Sequence, residues 1–349
     1  MAPNRNIPTV LEFRGRSFII WEDVDNKFLR ACLAEFMAMN LFVLLCCGCA
    51  MVTLNLPNPN LMMVAASFGF GILVLAQIFG PLSGGHINCA VSFGLFIAGR
   101  TSLIKTLCFT MSQMLGSIFG ALFLWAIFGS HWPAARAFGS NSWDESVFTA
   151  GQVFFAEMLG TMILMFNVLS TIDIPTGDGG PLAVFPIAMS VMIAHLFLLP
   201  IDGCSINPSR SFGPSVVATW ANIEGNFSHQ QYIFWLGPMF GAGLAAAIYE
   251  YASLKPENFA GARDMDTAIF QVSYKPHLGY FLLFCGYLLV IWPVSSPCVV
   301  PISFVLTSFR VTPVLTHSGW QETKDQNEDS SHGATSAGTR RFCSRGKHR

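Results

Sequence analysis

Gly203-Cys204-Ser205-Ile206-Asn207-Pro208-Ser209-Arg210-Ser211-Phe212-Gly213-Pro214 is a polar stretch set between two long apolar runs, and its reading decides the fold. Asn207 is a good helix N-cap, and Pro208 suits the first helical position because the donor it lacks would have gone unpaired there. The dipole makes that end positive. A helix from Pro208 to about Thr219 is roughly 18 Å long, about half the span of a bilayer core of about 30 Å. It is a half-helix, and backbone of that kind at membrane depth is tolerated only where protein buries it or where it lines a water-filled cavity. Arg210, in its first turn, strengthens the cavity reading.

The rest of the chain agrees with a membrane setting. Its 349 residues are 52% hydrophobic and only 11% charged, and mean hydropathy is +0.51, more apolar than an ordinary soluble domain. A net charge of -1 gives no reason to expect nucleic acid. The ten cysteines have no metal-ligand spacing; Cys46, Cys47, Cys49 and Cys108 fall in apolar runs where a thiol behaves as a small hydrophobe, so neither a metal site nor a disulfide framework is expected. No cofactor motif appears. The N-terminus carries Arg5, Arg14 and Arg16 but no short apolar core with a cleavage site, so the first apolar segment should serve as its own signal.

Working outward in order, apolar runs of crossing length span about Phe28 to Thr53, Leu61 to Gly80, Leu103 to Phe128, Val147 to Ile172, Pro181 to Leu199 and Tyr232 to Tyr251. Between the second and third lies Gly84-Gly85-His86-Ile87-Asn88-Cys89-Ala90, with the form of the opening stretch: glycines, a polar turn, an Asn cap, then an apolar helix ending near Arg100. Ala34-Glu35 in the first crossing is echoed by Ala156-Glu157 in the fourth. Glu35 and Glu157 differ by 157 minus 35, or 122, and Asn88 and Asn207 by 207 minus 88, or 119. The chain therefore reads as a tandem repeat, about 28–128 and 147–253, each unit holding three crossings and one half-helix. The second unit must insert upside down relative to the first. Arg5, Arg14, Arg16, Lys27, Arg30, Arg100, Lys105, Lys255, Arg263 and Lys275 then share one face, which the positive-inside rule assigns to the cytoplasm.

Two Asn-capped half-helices in an inverted three-plus-three repeat, each preceded by an Ala-Glu helix, resemble the aquaporin (major intrinsic protein) family over about Lys27 to Tyr251. The resemblance implies an all-α polytopic fold with six transmembrane helices and half-helices meeting at mid-membrane, where Asn88 and Asn207 point donors into a single-file pore. It implies water as the permeant, a lipid environment and a homotetramer with one pore per subunit. It also implies a constriction at Phe68, His195, Cys204 and Arg210, a quartet resembling that of water-selective members. Glycerol-conducting members have a small residue in place of the His and an Asp after the Arg, where this chain has Ser211. Taken without the resemblance, His195 on an apolar helix reads as a core histidine, Phe68 as one of 32 phenylalanines, and Cys204 as a buried thiol. Glu35, Gln113 and Glu157 read as structural polar groups supplied with donors by the nonhelical backbone before each half-helix.

The chain departs from the family's Asn-Pro-Ala motif. It has Asn88-Cys89-Ala90 in the first repeat and Asn207-Pro208-Ser209 in the second. Losing Pro at the first helical position removes some preorganisation, and the favoured reading of Cys89 is a tolerated substitution. A third departure lies beyond the channel domain of 28–253. After an N-terminal cytoplasmic segment of 1–27 and that domain come a charged linker of 254–277, a further apolar run of 278–306 broken by Pro293, Pro297 and Pro301, and a polar tail of 307–349. The run suits a seventh crossing, an interfacial segment or an alternative translated end equally well. Asn226-Phe227-Ser228 is a glycosylation sequon expected outside. The functional expectation is a passive water channel rather than an enzyme. The alternatives are a pore for peroxide, ammonia or small polyols, and a weakly conducting membrane scaffold or junction protein. The plasma membrane is the expected location, with an intracellular membrane as the alternative.

Overall fold

A computed structural model describes residues 9–13, 16–129, 134–173, 183–223, 229–251 and 310–311. The linker of 254–277, the apolar run of 278–306, the sequon at Asn226 and nearly all of the polar tail lie outside these residues. The sequence reading gave the N-terminal segment no regular structure, yet β1 (Thr9–Phe13) and β2 (Arg16–Trp21) form an antiparallel hairpin. Its branched and aromatic residues, Val10, Phe18, Ile19, Ile20 and Trp21, have the side chains that suit a pleated surface. A two-residue strand β3 (Arg310–Val311) pairs with β1.

Among the described residues six helical segments are long and apolar enough to cross a membrane. The first is composite: α1 (Asn26–Phe42), one π turn (Val43–Cys47) and α2 (Gly48–Leu54) run on without a break. The others are α3 (Leu61–Ser83), α5 (Leu103–Phe128), α6 (Ala150–Asp173), α7 (Val184–Asp202) and α9 (Gln231–Tyr251). Side-chain caps start several: Asp25 accepts from the Phe28 N–H at 2.8 Å, Asn60 from Met63 and Ser102 from Lys105. The two half-helices are α4 (Cys89–Ile97) and α8 (Pro208–Trp220), roughly 14 and 20 Å long.

The second and fifth crossings run further than their apolar runs suggest. α3 continues through Pro81 to Ser83 and α7 through Pro200 to Asp202, because a proline in the last turn costs little once neighbouring groups satisfy the freed carbonyl. Each then stops at a left-handed glycine, Gly84 at φ 96° and Gly203 at φ 80°, whose N–H closes on the carbonyl four residues back. The first half-helix ends before Arg100 for a similar reason: Gly99 is left-handed at φ 73°, and the Arg100 N–H turns back to Leu95 O at 2.8 Å.

Packing interlocks the repeats. α1 lies on α5 and α6 on α9 within each unit, whereas α3 packs on α7, α4 on α9 and α8 on α5 across units. Close approach depends on small residues: a Cβ on Gly116 would run into the Phe36 carbonyl, and one on Gly241 into the Met158 carbonyl. Phe36 and Met158 directly follow Glu35 and Glu157, so the same contact recurs in both units. Arg100 Nη2 donates to Asp173 at 2.8 Å and Glu250 at 2.9 Å, tying the end of α4 to the ends of α6 and α9. Leu33, Phe70, Val74, Leu107, Phe155 and Phe197 are exposed on the outer helix faces, as lipid contact requires.

Gly116→Ala and Gly241→Ala should each destabilise the fold by roughly 1–3 kcal/mol through overpacking. Gly151→Ala, where nothing lies within 4 Å, should be neutral or stabilising by up to about 1 kcal/mol. Thermal unfolding in detergent would rank the three.

Candidate functional site

The segments that lead into the half-helices carry unpaired backbone donors, and two buried carboxylates meet them. Glu35 Oε1 accepts from the His86 N–H at 2.9 Å and from Ser83 Oγ at 2.6 Å, while Oε2 accepts from the Ile87 N–H at 2.8 Å and Gln113 Nε2 at 2.7 Å. Glu157 repeats the pattern, taking the N–H groups of Ser205 and Ile206, one on each oxygen, at 2.6 Å. Both Glu residues are fully buried. Ile87 and Ile206 sit at φ 48° and 46°, a left-handed conformation unusual for a β-branched residue. Charge-assisted hydrogen bonds to the adjacent carboxylate hold each one there.

Those two isoleucines turn their carbonyls toward the opposite repeat. Asn88 Nδ2 donates to Ile206 O at 2.8 Å and Asn207 Nδ2 to Ile87 O at 2.7 Å, a reciprocal pair that joins the half-helix starts. The Oδ1 atoms cap their own helices, accepting from the N–H of Ala90 at 2.9 Å and of Arg210 at 3.2 Å. An amide has two donor hydrogens, so each Asn keeps one uncommitted among the described residues. His86 lies beside this junction, its Nδ1 2.9 Å from Ser92 Oγ and its ring edge-on to Phe109.

Phe68 from α3, His195 from α7 and Arg210 from α8 meet above the second half-helix. The Phe68 and His195 rings stack at 4.0 Å with 23° between their planes, and Arg210 Cζ lies 5.0 Å from the Phe68 ring centre. All three are buried, Arg210 at 2% exposure. His195 Nδ1 pairs with Val191 O at 2.9 Å, while among the described residues Nε2 has no partner and Arg210 Nε has none either. Cys204, the fourth expected member, sits buried in the link between α7 and Asn207 at φ 54°.

The guanidinium is anchored by residues that the sequence reading missed. Arg210 Nη1 donates to Gly139 O at 2.7 Å and Asn141 Oδ1 at 2.6 Å. Gly139 has φ +79° and rests so closely on Cys47, beside the π turn, that a Cβ would fall 2.8 Å from it; only glycine brings its carbonyl here. Gln230 pins the far end of this loop, accepting from the Trp143 N–H at 3.0 Å and donating to Trp143 O at 3.2 Å and Glu145 at 2.8 Å. That last bond, helped by His229, holds the Glu145 carboxyl below its ordinary range.

The two motif departures turn out to be neighbours. Cys89 takes the first helical position of α4 and Pro208 that of α8, with Ala90 and Ser209 following. Ser209 Oγ donates to Gln113 Oε1 at 3.1 Å, and the Cys89 thiol lies against the Ser209 hydroxyl and N–H. A chain of polar contacts thus runs from Cys89 through Ser209 and Gln113 to Glu35.

Glu157→Gln should lower stability by roughly 1–3 kcal/mol, since an amide offers one acceptor oxygen to two buried N–H groups and turns its own donors on the other. Thermal unfolding of the purified protein would measure it.

Comparison with known proteins converges on the same arrangement. The family model described as major intrinsic protein matches residues 22–249. Sheep (Ovis aries) aquaporin-5 is 35% identical over 232 residues, covering 66% of this chain and 83% of its own length. Rat (Rattus norvegicus) aquaporin-1 is 36% identical over 231 residues, covering 64% and 82%. The solved aquaglyceroporin from Plasmodium falciparum superposes with a TM-score of 0.57 at 20% identity, covering 64% of this chain and 96% of its own, a likeness of fold. With the inverted repeat, the two half-helices and the paired Asn caps in place, the chain belongs to the major intrinsic protein family, the aquaporins.

Proposed function

We propose that the protein is a passive water channel that excludes protons and ions. The observation that carries this reading is the constriction: the stacked rings of Phe68 and His195, with the buried Arg210 guanidinium on their flank, bring two bulky aromatic groups and a fixed cation together at one level of the chain. Arg210, anchored on one side by Gly139 and Asn141, offers donors to a water oxygen and repels cations. The unpartnered His195 Nε2 supplies a second polar contact. Further in, the uncommitted N–H of Asn88 and of Asn207, at the positive ends of α4 and α8, orients a passing water by its oxygen. Both its lone pairs are then engaged, which interrupts a proton-conducting file. The relatives named aquaporin-1 and aquaporin-5 support a channel of this family, and a homotetramer in the plasma membrane is proposed with it.

Two other readings have a specific source. The Plasmodium falciparum neighbour is an aquaglyceroporin, but His195 and Ser211 stand where a glycerol pore of the family has a small residue and an Asp. The tight stack of Phe68 on His195 also suits a weakly conducting scaffold.

Reconstituted in liposomes and followed by stopped-flow shrinkage, the wild type should pass water fast and glycerol negligibly. Mercury should block the flux in the wild type and not in Cys204→Ser. His195→Ala should raise glycerol flux above that of the wild type. Absence of water flux from folded, inserted protein would instead support the scaffold.

A further inference from the structure

Each repeat leaves a crossing and enters its half-helix over a spacing of five, from Ser83 to Asn88 and from Asp202 to Asn207. Ser83 and Asp202 are the last residues of α3 and α7, each two residues after a proline and each followed by a left-handed glycine. Ser83 Oγ accepts from the Gly85 N–H at 3.0 Å and donates to Glu35 at 2.6 Å, with the Phe79 carbonyl a longer second acceptor at 3.3 Å. Three successive N–H groups, of residues 85 to 87, are thereby received by Ser83 and Glu35.

Asp202 occupies the same geometry. Its Oδ1 accepts from the Cys204 N–H at 2.8 Å, and Glu157 takes those of Ser205 and Ile206, so residues 204 to 206 are served as 85 to 87 are. The Asp202 side chain lies within hydrogen-bonding range of Glu157. Its Oδ2, with the residue only 1% exposed, finds no donor among the described residues. The Asp202 carbonyl accepts from Asn141 Nδ2 at 3.3 Å, and Asn141 Oδ1 in turn takes Arg210 Nη1 and, at 2.7 Å, Ser211 Oγ.

We propose that Asp202 is a positioning residue of the constriction, doing for the second repeat what Ser83 does for the first, and so setting where Cys204 and, through Asn141, Arg210 stand. Its bearing on selectivity rests on the water-channel reading. Ser83 receives the Gly85 N–H and gives a hydrogen to Glu35; Asp202 receives the Cys204 N–H on Oδ1. Ser or Asn at 202 would keep an oxygen for the Cys204 N–H. Ala would supply none, and would release a left-handed, non-glycine Cys204 from the bond that constrains it.

The test compares Asp202→Ser, Asp202→Asn and Asp202→Ala with the wild type in proteoliposomes. Two quantities are read: the ratio of glycerol to water permeability, and the rate at which a small organomercurial reacts with Cys204, assigned by difference from Cys204→Ser. Ser and Asn should stay within about twofold of the wild type, while Ala should raise both quantities about tenfold, the equivalent of one buried hydrogen bond. Folded Asp202→Ala indistinguishable from the wild type would overturn the proposal, as would Ser and Asn behaving like Ala. Should the Ala chain fail to insert, Asp202→Val, which also lacks an acceptor for the Cys204 N–H, takes its place: raised quantities support the assignment and unchanged ones overturn it. If wild-type vesicles pass no water, the channel reading falls by itself, and the Cys204 rates across the Asp202 series still decide the positioning role.

Discussion

A backbone N–H group in hydrocarbon must find an acceptor, and this fold depends on how that demand is met where the chain stops being helical at mid-membrane. Two segments break off there, and each presents a run of donors that helix geometry no longer satisfies. A neutral carbonyl would receive them on a single oxygen with ordinary strength; a carboxylate takes one or more on each of two oxygens with charge-assisted strength. Glu35 and Glu157 are therefore the reason a half-helix exists at either position. The local conformation they enforce turns Ile87 and Ile206 left-handed and sends two carbonyls across the repeat boundary.

From that exchange the rest of the interior follows. The Asn caps are oriented by bonds at both ends of the amide, so their remaining hydrogens have one direction to face. The half-helices are then clamped by the opposite unit, α4 against α9 and α8 against α5, with Gly213 close enough to Ser117 that no side chain fits between. Arg210 can be buried without a carboxylate contacting it among the described residues because a backbone carbonyl and an amide oxygen face it, leaving its charge available to the permeation path.

Much of this was legible in the chain. The six crossings follow from apolar length, and Asn207-Pro208 and Asn88 mark helix starts by capping chemistry that is local. The offsets between the repeats announce the inversion. What sequence could not show depends on contacts between distant segments. Gly139 and Asn141 sit in a loop with no pattern of its own, and their meeting with Arg210 exists only once the π turn at Val43–Cys47 has given that loop a surface to rest on. Cys89 and Ser209 look like unrelated departures until the half-helices touch. Pro81 and Pro200 suggested earlier helix ends than those formed, since a proline's effect depends on what its neighbours can satisfy. Asp202 lies just past the fifth apolar run and drew no reading; setting the repeats side by side from their Asn residues would have matched it with Ser83.

The reciprocal amide bonds also bear on how the protein is made. Asn88 is synthesised more than a hundred residues before the carbonyl that will receive its hydrogen, and Gln113 nearly as long before Ser209. The first unit to emerge is thus an open circuit, with a donor on Asn88 and an acceptor on Gln113 whose partners lie in the second unit. It must stay hydrated, or sheltered by the insertion machinery, until its inverted twin arrives. Assembly is in this sense the docking of two half-proteins on one chain.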